Sequence, residues 1–348
     1  MFGLSKEVIS EIEKKAAHFN KIYKNCLKVK NEDVLIISDY GTSISQLPLM
    51  MTTGYVLAAK DKGLPVNVVF QGVKKGFMQA DDHITEAIKR LEKKSIIILA
   101  LSNKLGRFGE EKSFRTYCQD QGHRFLSSTG LGDVKNDYFD LFLEAMNVNY
   151  RRLQKRGLAV KRLWDKASSI TVKTDAGTDV TFDVEGMQAI SNTGEYGEEG
   201  CGGNMPCGEV YIPPKGLTGV EGQVVIDASM KVDQGAQLVE EPLTLTIQDG
   251  KVVKMEGKHA KLLEATLRKY EDRAEYPLRV RHVAELGVGI NPGAVVIGSM
   301  IMDEKVLGTG HIAIGSNSWF GGAIKTIFHG DQVFKSPKYY VDGKKMSV

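Results

Sequence analysis

The chain has 348 residues, of which 42% are hydrophobic and 26% charged, as in an ordinary folded globular protein of two domains. Its formal net charge of +3 is small and its lysines and arginines are scattered, which argues against a nucleic-acid partner. The longest apolar runs, such as residues 96–101, are far shorter than the roughly 20 residues that span a bilayer, so we expect a cytoplasmic protein without a membrane segment.

The N-terminal stretch MFGLSKEVISEIEKKAAHF carries early acidic residues and spaces its apolar residues at helical intervals. This pattern predicts an amphipathic helix rather than a signal peptide, which has an uninterrupted apolar core.

The first half of the chain alternates short apolar runs with helical stretches. Strands are predicted at residues 33–38, 66–70, 95–101 and 123–126, and helices at 46–62 and 81–94. Apolar strands joined through helices indicate a parallel sheet covered on both faces, hence a doubly wound α/β domain over residues 1–165. No G-x-G-x-x-G follows the first strand, so a dinucleotide cofactor is not expected.

The second half has shorter, alternating runs punctuated by Gly, Pro and Asp. Strands are predicted at residues 168–174, 179–184, 222–227, 243–247 and 251–255, with a tight hairpin turn in IQDGKV and one helix at 258–273. We therefore expect a mainly antiparallel β-rich (α+β) metal-binding domain over residues 166–348.

The four cysteines contain no C-x-x-C pair and are expected to be free thiols. Cys201 and Cys207 lie near each other in a glycine-rich loop, but their spacing is not that of a structural zinc site.

Five side chains in the second half could bind metal: Glu209, Glu285, His311, His329 and Asp331. His329 and Asp331 are two residues apart, so on a strand both point to the same face. Taken singly, an H-x-D pair is also typical of a hydrogen-bonded surface couple, and Glu285 could be a cap or a salt-bridge partner. Two histidines and three carboxylates suit zinc, cobalt, manganese or iron. They suffice for two ions that share a bridging carboxylate, or for one ion with open positions.

Four sequence blocks, NMPCGEVYIPP, AELGVGINPGA, MDEKVLGTGHIAIG and GG…FHGDQV, follow one another over residues 204–334. In this order they resemble the M29 family of dinuclear metallo-aminopeptidases. The resemblance implies that the same five residues bind two divalent ions (Zn, Co or Mn), with Glu285 as the bridge. It also implies a homodimer that releases N-terminal residues from peptides through a metal-activated water.

One position departs from that family, which has a tyrosine seven residues after its first histidine, where this chain has Ser318 followed by Trp319. The departure points to a second branch that the chain resembles, the 2,5-dihydroxypyridine 5,6-dioxygenases, which use one Fe(II) to cleave a small-molecule ring. In that branch a histidine replaces the glutamate retained here as Glu285, so His311 or His282 would complete the iron ligands.

The sequence analysis places the hydrolase first, with the dioxygenase and a non-catalytic metal-binding relative as alternatives. The general base is left unassigned, because Glu304, Glu198 and Glu199 are candidates only.

Overall fold

The computed structural model describes residues 1–109 and 113–346. The chain divides into two compact units, one formed by Met1–Tyr150 and Gly194–Cys207, the other by Arg151–Thr193 and Gly208–Val348, of which the last two residues lie outside the described part. The sequence analysis places the boundary after residue 165. The contacts divide the chain fifteen residues earlier and return a later segment to the first unit.

The first unit is built on a parallel sheet of five strands in the order β2-β1-β3-β4-β8. Numbered in chain order, these strands are β1 (Val34–Ser38), β2 (Val66–Phe70), β3 (Ile96–Ala100), β4 (Arg124–Ser128) and β8 (Gly202–Asn204). The helices of this unit are α1 (Lys6–Lys14), α2 (Ala16–Ile22), α3 (Leu47–Asp61), α4 (Asp82–Lys89), α5 (Phe114–Gln121) and α6 (Phe139–Met146), with a π-helical turn at Tyr23–Leu27 and 3-10 turns at Leu131–Asp133 and Asn136–Tyr138.

The central strands β1 and β3 are buried along their whole length, because helices cover both faces of the sheet. On one face, Leu35 and Leu99 pack against Ile84 and Ile88 of α4. Helix α3 contacts β1 and β3 as well. The predicted N-terminal helix is present but divided into α1 and α2 at Lys15, where φ is −103°.

The second unit contains two seven-stranded sheets in which the strand pairs are antiparallel, in the orders β14-β13-β10-β6-β5-β18-β19 and β12-β11-β17-β16-β15-β9-β7. The strands of the first sheet are β5 (Ser169–Lys173), β6 (Asp179–Asp183), β10 (Val220–Ile226), β13 (Leu243–Gln248), β14 (Lys251–Glu256), β18 (Lys338–Val341) and β19 (Lys344–Lys345). The strands of the second sheet are β7 (Ile190–Asn192), β9 (Glu209–Ile212), β11 (Ser229–Val232), β12 (Gly235–Leu238), β15 (Val283–Gly289), β16 (Thr309–Gly315) and β17 (His329–Lys335).

The helices associated with the second unit are α7 (Tyr150–Trp164), α8 (Ala260–Glu271) and α9 (Met300–Asp303), with 3-10 helices at Pro277–Arg281 and Ser318–Phe320. The predicted hairpin turn joins β13 to β14 through Asp249 (φ 47°) and Gly250 (φ 72°). A Cβ at Gly250 would lie 2.0 Å from the carbonyl oxygen of Leu217, so only glycine fits there.

The predicted fold class is confirmed: a doubly wound parallel α/β unit is combined with a mainly antiparallel β-rich unit. The four cysteines, all in the described part of the chain, are free thiols as expected. Among the described residues, no helix has both the length and the apolar character needed to cross a membrane.

Candidate metal centre

All five predicted ligands lie on one face of the second seven-stranded sheet, on the adjacent strands β9, β15, β16 and β17. Glu285 is opposite Ala313, which is in turn opposite Asp331. Residues directly opposite on paired strands share a face, as do alternate residues along one strand. Through Gly289, the register also places Glu209 on this face, although it precedes Asp331 by more than a hundred residues in the chain.

The small residues between the ligands make room for them. His311 is opposite Gly287, and a Cβ on Gly287 would lie 1.9 Å from the Nε2 atom of His311. Glu209 is likewise opposite Gly289, and Ala313 separates Glu285 from Asp331. Because these positions carry little or no side chain, the imidazole and carboxylates can occupy the space above them and approach one another.

Glu285 lies between the two histidines. Its Oε1 is 3.2 Å from Nε2 of His311 and its Oε2 is 3.8 Å from Nε2 of His329. Asp331 Oδ1 is 3.5 Å from the same His329 nitrogen. Among the described residues, one group could hold a metal ion, formed by Glu285, His311 and Asp331, each of which offers one ligand atom within 4.8 Å of the others.

The second ring nitrogens differ between the two histidines. Nδ1 of His329 lies 2.8 Å from the carbonyl oxygen of Ser316, to which it donates, so its Nε2 faces the centre. Nδ1 of His311 is buried without a hydrogen-bond partner in the described structure. His282, the alternative to His311, turns its Nδ1 to the carbonyl oxygen of Leu278 (3.1 Å) and is not in the donor group.

Glu209 is held differently from the other four. Its Oε1 accepts hydrogen bonds from Nζ of Lys305 (2.7 Å) and from Nδ2 of Asn192 (3.0 Å), while its Oε2 lies 3.8 Å from Nε2 of His311. Lys305 is fully buried and also donates to Glu304. The sequence analysis did not identify Lys305, because nothing in MDEKVLG distinguishes a buried lysine from a solvated one.

Burial and mutual proximity control protonation at this centre. Burial raises the pKa of Glu285 and that of Glu304 above their ordinary values. Burial also acts to raise the pKa of Asp331, but the neighbouring His329 holds that pKa well below its usual range. Burial lowers the pKa of His329 while Asp331 and Glu285 raise it, with a net result of about 9. The raised pKa favours the protonated form of His329 beside Asp331, and a metal ion bound to its Nε2 would have to displace that proton.

The donor set fits a divalent ion. Donors that lie about 2.1 Å from one ion are separated by about 3 Å when adjacent and about 4.2 Å when opposite. The 3.2 Å between Nε2 of His311 and Oε1 of Glu285 is close to the separation of adjacent donors. Imidazole and carboxylate ligands suit zinc, manganese and iron alike.

Comparison with known proteins identifies the lineage. Residues 14–348 match the family described as NicX, 2,5-dihydroxypyridine 5,6-dioxygenase. The chain belongs to this dioxygenase family. A curated member, the 2,5-dihydroxypyridine 5,6-dioxygenase of Pseudomonas putida KT2440, is 25% identical over 201 residues, which cover 55% of this chain and 56% of that protein. The aligned stretch thus spans little more than half of the relative's length.

Two solved structures share the fold over nearly the whole chain. The 2,5-dihydroxypyridine dioxygenase from Pseudomonas putida KT2440 has a TM-score of 0.73 at 16% identity, with 98% of this chain and 96% of that chain covered. Wild-type AmpT from Thermus thermophilus has a TM-score of 0.63 at 14% identity, with 97% of each chain covered. At these identities the two similarities show a shared fold.

The comparisons change the order of the functional hypotheses. The sequence analysis places an M29-type aminopeptidase first, whereas the family match and the curated relative favour the dioxygenase alternative. The hydrolase reaction is not supported over the dioxygenase reaction. The chain thus belongs to a family named for an enzyme, and its described residues include a donor group that could hold a metal ion.

Proposed function

We propose that this protein is a mononuclear Fe(II)-dependent dioxygenase that opens the ring of a hydroxylated N-heterocycle of the 2,5-dihydroxypyridine type. The family match supports the reaction class. The donors proposed for the iron are Glu285, His311, His329 and Asp331, with Glu209 beside them.

The hydrogen bond from Lys305 to Glu209 is the observation that favours one metal ion over two. In a two-ion site Glu209 would bind metal, but here one of its oxygens is already shared between the ammonium of Lys305 and the amide of Asn192. A fixed positive charge at this position takes the place that a second cation would need, because two cations in contact repel strongly in a buried site.

An iron(II) ion held by imidazoles and carboxylates with open positions supplies the redox chemistry for oxygen and a place for a substrate oxygen to bind. Both atoms of O₂ enter the ring-opened product, so the reaction needs no external reductant. The protein contributes the orientation of His329 through its hydrogen bond to the carbonyl oxygen of Ser316.

The test reconstitutes the purified protein anaerobically with Fe(II), measures metal content by elemental analysis, and follows oxygen uptake with 2,5-dihydroxypyridine. We expect about one iron per chain and one O₂ consumed per substrate. Asp331→Asn should abolish uptake, and Asp175→Asn, on an exposed surface side chain, should leave it unchanged. Two zinc or manganese ions per chain, with hydrolysis of leucine-4-nitroanilide and no oxygen uptake, would instead support the aminopeptidase.

A further inference from the structure

An exposed tryptophan lies beside the proposed metal ligands. Trp319 is 54% exposed, and its ring centroid is 4.7 Å from that of His329 at an interplanar angle of 70°. The only other tryptophan in the chain, Trp164, is fully buried. An exposed indole beside metal-ligating side chains is a flat apolar surface on which an aromatic ring can stack.

The ring is held in place by its neighbours. Trp319 lies in the 3-10 helix Ser318–Phe320, and its ring centroid is 5.2 Å from that of the buried Phe320. Phe320 in turn makes an edge-to-face contact with Tyr211 at 5.2 Å. The tryptophan is thus in contact with an aromatic cluster while more than half of the residue stays open to solvent.

The 3-10 helix is also fastened to a strand that carries a ligand. Nδ2 of Asn317 donates to the carbonyl oxygen of Ala284, the neighbour of Glu285 on β15, at 2.9 Å. Oδ1 of the same asparagine accepts from the backbone N–H of Ile324 at 2.7 Å. These bonds fix the start and the return of the loop, so the position of Trp319 is coupled to that of the metal ligands.

We propose that Trp319 is a binding surface on which the planar, hydroxylated aromatic ring of the substrate stacks while an oxygen of that ring reaches the metal. The inference rests on the proposed function. If an oxygen of the substrate binds an ion held by Nε2 of His329, the substrate ring lies within a few ångströms of that imidazole. The indole of Trp319 is equally near, since its ring centroid is 4.7 Å from that of His329. Offset stacking on an indole stabilises the binding of a flat aromatic ring, and an aliphatic ligand gains no comparable binding free energy from it.

The experiment compares anaerobic binding to the Fe(II)-loaded protein, measured by calorimetry, for 2,5-dihydroxypyridine and for lactate, an aliphatic oxygen ligand. The variants are Trp319→Ala, Trp319→Phe and, as a matched exposed aromatic in the same unit, Tyr276→Ala (Tyr276 is 45% exposed). Trp319→Ala should weaken binding of the pyridine roughly tenfold and raise its KM similarly, with kcat within about threefold and iron content unchanged.

Trp319→Phe should keep most of the affinity because it retains a flat ring. Tyr276→Ala should match the wild type, and lactate binding should not depend on residue 319. Equal affinity of Trp319→Ala and wild type for the pyridine overturns the stacking role while leaving the proposed function intact. Failure of the iron-loaded wild type to bind or turn over any pyridinediol overturns the proposed function and this inference with it.

Discussion

At the scale of single residues, Lys305 places a positive charge beside the carboxylates of the metal centre. Burial by itself lowers the pKa of Lys305, but the carboxylates of Glu209 and Glu304 raise it above its ordinary value. The lysine is therefore a permanent cation whose removal leaves two carboxylates buried without their partner.

Lys305→Met tests this interpretation. Without metal the variant should lose about 3 to 5 kcal/mol of stability, since breaking a buried ion pair leaves uncompensated charge. With zinc or manganese in excess it should regain stability and bind close to two ions per chain, which elemental analysis after gel filtration measures. Lys338→Met, which breaks an exposed pair with Asp175, is the control and should stay at one ion. A one-ion count in both variants would contradict a blocking role for Lys305.

The five ligand candidates and Lys305 also show what sequence can predict at this scale. Histidine and carboxylate beside glycine are recognisable because their chemistry is typical of metal sites, and the structure places all five on one sheet face. The role of Lys305 depends on a contact across 96 residues with Glu209, and no local pattern encodes that contact.

At the scale of elements, the strands and helices with strong periodicity were predictable. β2 spans the predicted residues, and β1, β13, β14 and α8 agree to within a few residues at each end. Strand β8 was not predictable, since Gly202–Asn204 has no β-branched residue and is a strand only because it pairs with β4. The sequence analysis places this segment in a glycine-rich loop, whereas Gly202–Asn204 extend the parallel sheet.

An ion pair positions the element that precedes β15. Nη1 and Nη2 of Arg281 donate to the two carboxylate oxygens of Glu264 on α8, at 2.8 and 2.9 Å, and Nε donates to Glu271 at 2.6 Å. Arg281 ends the 3-10 helix just before the strand that carries Glu285. This bidentate contact therefore anchors helix α8 close to one end of a strand of the metal centre.

The same contact predicts an acid dependence of stability. Hydrogen bonding to Arg281 lowers the pKa of Glu264 from 4.5 to about 2. A lowered carboxyl pKa stabilises the folded state above pH 4.5, and this contribution is lost as the pH falls towards 2. With allowance for solvent screening, Glu264→Gln should cost about 1 to 2 kcal/mol at pH 7 and much less at pH 2.5, measured by urea unfolding.

The control for this prediction is Glu256→Gln, which removes an exposed ion pair with Lys254. It should change stability by no more than about 0.5 kcal/mol at either pH. An effect of Glu264→Gln that is equal at pH 7 and pH 2.5 would show that lost packing, rather than lost charge, is responsible.

At the scale of the whole molecule, the alternation of apolar runs and helices in the first half and of short strands in the second was sufficient to predict both architectures. The connections between them were not predictable, because the chain leaves the first unit at Tyr150 and re-enters it for Gly194–Cys207. The homodimer expected from the M29 resemblance stays a prediction, as does the cytoplasmic location.

Metal binding should stabilise the folded protein as a whole. A ligand present at about a hundred times its Kd adds about 2.7 kcal/mol, which for a unit of this size raises the melting temperature by roughly 5 to 10 °C. Differential scanning calorimetry under argon with Fe(II) or Mn(II) should show this rise, and a chelator should reverse it. Asp331→Asn should not respond, and a metal response in that variant equal to that of the wild type would argue against Asp331 as a ligand.

The cross-strand arrangement of the donors also has a kinetic consequence. Apart from His329 and Asp331, the donors come from different strands and meet only when β9, β15, β16 and β17 have paired in register. Such long-range pairings form late and slowly, after much chain entropy has been lost. We therefore expect a metal ion bound by these donors to slow the unfolding of the paired sheet rather than to speed its folding.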